Sequence, residues 1–293
     1  MKDAARLLAY FVAVIFLGAI LAPILFWSAQ WLVGHGWFPF LAFFDFETFF
    51  HRALLLAALL LLWPLLRSMH TRTMADLALE PNRHWIRHVV AGFLLSAVPL
   101  LCCGAALIAF HAYSLRTVFD AGAMGKVVAS SVGVPLIEES FFRGLLLGIL
   151  LRSGRVKMSI LVTSALYSIV HFLKAPAQTS AVVTWTSGFN SVAHSFAQFA
   201  DPMLVLAAFT TLFLIGWILA DARLSTRSLW LPIGLHAGWI LANGGFNRIA
   251  RREILALPWL GKSLLVGFVP LAVGLLTWLL VRLWLRYEGS RKT

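Results

Sequence analysis

Residues Leu7 to Val33 read LLAYFVAVIFLGAILAPILFWSAQWLV, an apolar stretch longer than the roughly 20 residues a helix needs to cross a hydrocarbon core. Lipid offers no partner to backbone N–H and C=O groups, so such a stretch spans as a helix that bonds internally. Lys2 and Arg6 precede it, the start expected of a signal peptide. The apolar core of a signal is only about 7 to 15 residues, however. Pro23 also directly follows the only small-residue cleavage site on offer. An uncleaved first span is expected.

The rest of the chain repeats this composition. Of 293 residues, 60% are hydrophobic and 12% charged, and mean hydropathy is +0.86; a soluble domain carries roughly 25% charged residues. Apolar runs broken by charge fall near 7–33, 53–66, 86–110, 128–151, 158–173, 202–221, 228–246 and 263–283. They predict an all-α, polytopic transmembrane helical bundle of about eight spans, with residues 1–293 forming a single integral membrane domain. Phe38 to Phe50 reads as re-entrant or interfacial. No internal repeat is visible, which weighs against an inverted-repeat transporter.

The net charge of +12 and pI near 10.7 do not point to nucleic acid, because the basic residues sit in short connectors and form no patch. Lys and Arg gather in cytoplasmic loops, where they resist translocation and meet anionic lipid. Lys2 and Arg6, then Arg67, Arg72, Arg83 and Arg87, then Arg152, Arg155 and Lys157, then Arg223 and Arg227, and finally Arg286, Arg291 and Lys292 all fall on one side of eight spans. That side is expected to be cytoplasmic, with both termini, in a bacterial inner (plasma) membrane. Arg248, Arg251, Arg252 and Lys262 dissent, beside Glu253; an interfacial helix or a miscounted span would each account for them. The connector Lys174 to Asp201 carries Trp185, Phe189, Phe196 and Phe199, as an interfacial loop does. Cys102 and Cys103 are adjacent in an apolar run and read as packing residues, since a disulfide between neighbours is strained.

Chemistry concentrates in residues 133–148, GVPLIEESFFRGLLLG. Glu138, Glu139 and Arg143 each cost at least about 2.5 kcal/mol at the centre of a bilayer, and charge in that position defaults to a functional role. Glu139 and Arg143 stand at i and i+4, acid first, and can neutralise each other. Glu138 points about 100° away around the helix and needs another polar neighbour, which makes it the candidate general base. Gly144 and Gly148 have the small-xxx-small spacing that lets a second helix approach. On the next span Tyr167 and His171 share a face. His236 lies between Gly234 and Gly238 on a later one. Glu138, His171 and His236 offer a base, a water-orienting group and an oxyanion donor; the same three are a ligand set for catalytic zinc. No His-Glu-x-x-His pair favours metal.

Order and spacing of these residues resemble the type II CAAX prenyl protease (CPBP or Abi) family of intramembrane proteases. Its pattern is Glu-Glu-x-x-x-Arg, then Phe or Tyr-x-x-x-His, then His-x-x-x-Asn on successive helices. The first is Glu138, Glu139 and Arg143, the second Tyr167 and His171, and the third begins at His236. The resemblance covers residues 125–245, the expected catalytic core. It implies an endopeptidase that hydrolyses a peptide bond of a membrane-associated protein or peptide within the bilayer. Glu138 and His171 would activate the water, Glu139 and Arg143 would support the site, and His236 would stabilise the oxyanion. No cofactor is implied by the glutamate mechanism, with zinc on Glu138, His171 and His236 as the alternative. The family commonly has Asn four residues after the last histidine, where this chain has Ile240; Asn243, one turn further, is the substitute, and with Tyr167 it is a candidate substrate-binding residue. The rival readings are a proton-linked carrier using the buried carboxylates, and a non-catalytic immunity or scaffold protein of the membrane.

Overall fold

The structure, a computed structural model, describes residues 2–69, 73, 75–172, 182–261 and 263–290. Expectations placed on Arg72, Lys262, Arg291 and Lys292 lie outside these residues, as do the last residue of the expected span 158–173 and the first part of the Lys174 connector, 174–181. Among the described residues the regular structure is helical apart from one pair of three-residue strands and an isolated bridge between Ala256 and Leu260. Two compact units divide it: Met1–Arg72 with Leu173–Asp201, and Thr73–Phe172 with Pro202–Thr293.

The first unit holds α1 (Lys2–Gly34), α2 (Phe46–Ser68) and α7 (Ser187–Phe196). The second expected span, 53–66, is longer than its apolar run suggests. Asp45 caps α2, its carboxylate accepting from the Thr48 N–H at 3.0 Å, so the helix begins inside the segment expected to be re-entrant; only Pro39–Phe43 stands apart as a short 3₁₀ turn. The helices α1 and α2 pack through Ala22, Ala53, Phe46 and Phe50. The late connector is not the loop its composition suggests. It folds into α7, whose Gly188 lies so near Ala19 that a Cβ would come within 1.9 Å of the Ala19 carbonyl oxygen, and Trp185 meets Trp27 edge to face at 4.6 Å.

The second unit holds α3 (Trp85–Ala109), β1 (Tyr113–Leu115), α4 (Ala121–Glu139), a π-helical segment (Ser140–Leu146), α5 (Leu147–Leu151), α6 (Val156–Phe172), α8 (Pro202–Thr226), α9 (Trp230–Ile249), β2 (Ala250–Arg252) and α10 (Phe268–Ser290). Glycines bring α3 against α9. A Cβ on Gly92 would lie 2.6 Å from the Leu231 carbonyl oxygen, one on Gly234 2.2 Å from that of Val89, and one on Gly238 2.5 Å from that of Phe93. Backbone approach of this kind is how helices gain dispersion contact in lipid, where burial from water supplies no drive. On the other side α6 meets α8 at Ser164 and Gly216, and the Ser168 hydroxyl donates to the Phe209 carbonyl at 2.9 Å.

Among the described residues five helices are long and apolar enough to cross a membrane: Ala5–Gly34, Phe46–Ser68, Trp85–Ala109, Pro202–Thr226 and Phe268–Gly289. The other expected spans are also helical, the apolar part of α6 being short at Val156–His171. The basic connector after α9 does not begin as an interfacial helix, one of the two expectations for it. Its residues Ala250–Arg252 form β2, paired antiparallel with β1 in the register Tyr113 to Arg252 and Leu115 to Ala250. Arg252 donates to the Gly261 carbonyl at 3.2 Å and Arg251 pairs with Glu253 at 2.7 Å. Hydrogen bonds from Ser114 and Arg251 hold the Glu253 carboxyl below the usual carboxylate range.

Candidate active site

Glu138 and Glu139 are the last two residues of α4, where the helix widens into π geometry over Ser140–Leu146. Insertions of this kind recur at functional sites because the extra residue re-aims the side chains around it. Here the two carboxylates go to different partners. Glu139, fully buried, accepts from Arg143 Nη1 at 2.9 Å, as the i, i+4 spacing predicts. Its same oxygen also meets His236 Nδ1 at 2.7 Å, a contact the spacing does not reveal.

Arg143 is fully buried as well. Its Nη2 donates to the Gly216 carbonyl of α8 at 3.3 Å, and its guanidinium carbon stands 4.3 Å from the centre of the Tyr167 ring. Sequence gives no signal for the Gly216 contact, because any residue has a carbonyl. Glu139 Oε2 and Arg143 Nε are buried with no hydrogen-bond partner among the described residues.

Glu138 turns the other way. Its Oε2 lies 3.1 Å from His171 Nε2 and 3.8 Å from His236 Nε2, and the Glu138 and His171 side chains are each 27% exposed. The tautomer of His171 follows from its other nitrogen: Nδ1 is 2.9 Å from the Tyr167 carbonyl oxygen, which only accepts, so Nδ1 carries a proton. In the neutral ring Nε2 then has a lone pair aimed at a carboxylate oxygen, and the contact is attractive only with one proton shared between them. His236 is oriented in the same sense, Nδ1 toward Glu139 and Nε2 toward Glu138.

The expected residues therefore converge, with one exception. Tyr167 is 2% exposed; its ring packs on His171 at 4.1 Å and on Phe142 at 5.2 Å. Asn243 stands apart, seven residues and about 10 Å along the α9 axis from His236, where its side-chain oxygen accepts from Asn247 at 3.4 Å. Gly144 does admit a neighbour, the Leu77 carbonyl oxygen lying 3.0 Å from where a Cβ would be, but Gly148 faces open space. Among the described residues no group of three His, Cys, Asp or Glu side chains is gathered in a form that would hold a metal ion.

Residues 120–242 match the family model described as type II CAAX prenyl endopeptidase, Rce1-like. This segment is similar to that family. No curated protein and no solved structure matches the chain. The matched segment takes in every residue of the convergent cluster and ends one residue before Asn243.

Proposed function

We propose that the protein is an integral membrane endopeptidase in which Glu138 and His171 activate water for attack on a peptide bond of a membrane-associated protein or peptide, with the catalytic core in residues 125–245. The observation that carries this reading is the 3.1 Å approach of Glu138 Oε2 to His171 Nε2, with Nδ1 anchored on the Tyr167 carbonyl. A carboxylate and an imidazole that share one proton can take a second from water and pass it to the leaving amine. Both are partly exposed, as groups that meet water and substrate must be.

His236 is the proposed oxyanion donor. Its Nδ1–H is committed to Glu139, so donation from Nε2 requires the imidazolium, and the Glu139 carboxylate at 2.7 Å is the counter-charge for that form. Arg143 in turn holds Glu139, and Tyr167 holds His171, so the buried residues position the exposed ones. On this reading Tyr167 touches substrate less than it orients the histidine.

The test uses purified protein in detergent with candidate peptides, cleavage being read by mass spectrometry. Wild type cuts and Glu138→Ala and His171→Ala do not; equal cleavage by all three defeats the mechanism. The second reading, zinc held by Glu138, His171 and His236, rests on their being a ligand set of the catalytic zinc type, although the three are not gathered in a metal-holding form here. Activity that survives stringent chelation argues against it, and activity restored by added metal overturns the glutamate mechanism.

A further inference from the structure

Outside the active site, a cavity of about 660 Å³ in the second unit lies between the ends of α8 and α10 and is lined by Ser225, Trp278, Leu279, Arg282, Leu283 and Arg286 among others. We propose that it is a binding site for a phospholipid with a net negative headgroup.

The first observation is a second intramembrane acid that the protease chemistry does not use. Asp221 of α8 is 8% exposed, and both its oxygens are engaged: Oδ2 accepts from the Trp278 indole at 3.0 Å, and Oδ1 accepts from Arg282 Nη2. Burial of a carboxylate in a span is costly, and here its effect is to fix Arg282, 45% exposed, at the wall of the cavity. One N–H of the guanidinium fork goes to Asp221, leaving donors for a ligand. Arg286, one turn on at i+4 and on the same face, makes no ion pair among the described residues. Asp221 balances Arg282 alone, so the cavity keeps an uncompensated positive charge.

The second observation is the order of the lining along α10. Leu279 and Leu283 are 52% and 60% exposed and lead to Arg286 near the end of the helix. Ser225 stands one residue before the end of α8. Leu279 thus lies deeper than either arginine and Leu283 stands between them, so aliphatic surface runs below and beside two guanidinium groups and a hydroxyl near the helix ends, the arrangement that acyl chains and an anionic headgroup would meet. None of the residues lining the cavity is acidic, so a zwitterionic headgroup would bring its ammonium to two arginines with no counter-charge. The neighbouring cavity, lined by Arg223 and Arg227, includes Glu80 and lacks that selectivity.

The experiment titrates the full-length protein in detergent with dioleoyl phosphatidylglycerol or dioleoyl phosphatidylcholine and counts bound lipid by native mass spectrometry. Phosphatidylglycerol binds more tightly than phosphatidylcholine to wild type. Arg286→Gln weakens phosphatidylglycerol about fivefold, the loss of one basic contact at a membrane surface, and leaves phosphatidylcholine unchanged. Leu283→Trp, which fills the aliphatic part, weakens both and provides a second reading should Arg286→Gln fold poorly. Equal binding of the two lipids by wild type, or phosphatidylglycerol binding untouched by both variants, overturns the proposal. Dimers that exclude lipid and dissociate in Arg286→Gln also overturn it, by making a second copy the occupant.

Discussion

Replacement of Arg143 by Met keeps the length of the side chain and removes its charge. In the wild type the guanidinium is fully buried, bonds Glu139 at 2.9 Å and the Gly216 carbonyl at 3.3 Å, and stands 4.3 Å from the centre of the Tyr167 ring. The variant leaves the buried Glu139 carboxylate with His236 alone. Breaking one side of a buried ion pair costs about 3 to 5 kcal/mol, because the surviving charge is no longer compensated. At 2 to 4 °C per kcal/mol for a chain of this size, the unfolding midpoint falls by roughly 6 to 20 °C. The double variant Glu139→Gln with Arg143→Met removes both charges, and an uncharged pair of similar volume is often no less stable than the ion pair it replaces. It therefore regains most of the lost midpoint and stays inactive, since His236 has lost its counter-charge. The assay is intrinsic fluorescence on heating in one detergent, with peptide cleavage in parallel. A fall under about 2 °C in the single variant, less than 1 kcal/mol on that scale, or a double variant no more stable than the single one, would refute the account of Glu139 and Arg143 as a mutually dependent buried pair.

Glu138→Gln preserves shape but takes no proton, and cleavage falls by about 100-fold or more with the unfolding midpoint nearly unchanged, because that side chain is partly exposed; wild-type turnover in this variant removes Glu138 from the chemistry. Gly234→Ala forces a methyl against the Val89 backbone at 2.2 Å and costs about 1 to 3 kcal/mol by overpacking. Gly148→Ala enters open space and stabilises the helix by about 0.5 to 1 kcal/mol; thermal unfolding of the two, if it ranked them the other way, would contradict the α3 and α9 crossing. Ile240→Asn places an amide one turn beyond His236, and turnover rises by part of the 100- to 1,000-fold that a single oxyanion donor typically supplies; steady-state cleavage rates check it, an unchanged rate showing that Ile240 faces away from the reacting carbonyl.

The amino-acid sequence by itself determined the class of molecule, because hydropathy and the need to satisfy every backbone group in lipid leave only helices for runs such as Leu7–Val33. It also singled out Glu138, Glu139, Arg143, His171 and His236, since charge and imidazole inside apolar runs stand out whatever their partners. The i, i+4 pair Glu139 and Arg143 was readable because it lies within one helix, where spacing maps directly to distance. Helix ends were less legible: α2 begins at Phe46 because Asp45 caps it, and the basic connector after α9 begins with a strand whose pairing partner, β1, lies far away in sequence. Only the tertiary structure decided that His236 shares Glu139 with Arg143, that Gly216 offers its carbonyl to Arg143, and that Asn243 stands about 10 Å along its helix axis from His236. Those facts depend on how α4, α6, α8 and α9 cross and on the π turn after Glu139, and a helical period carries no information about the angle at which one helix meets another.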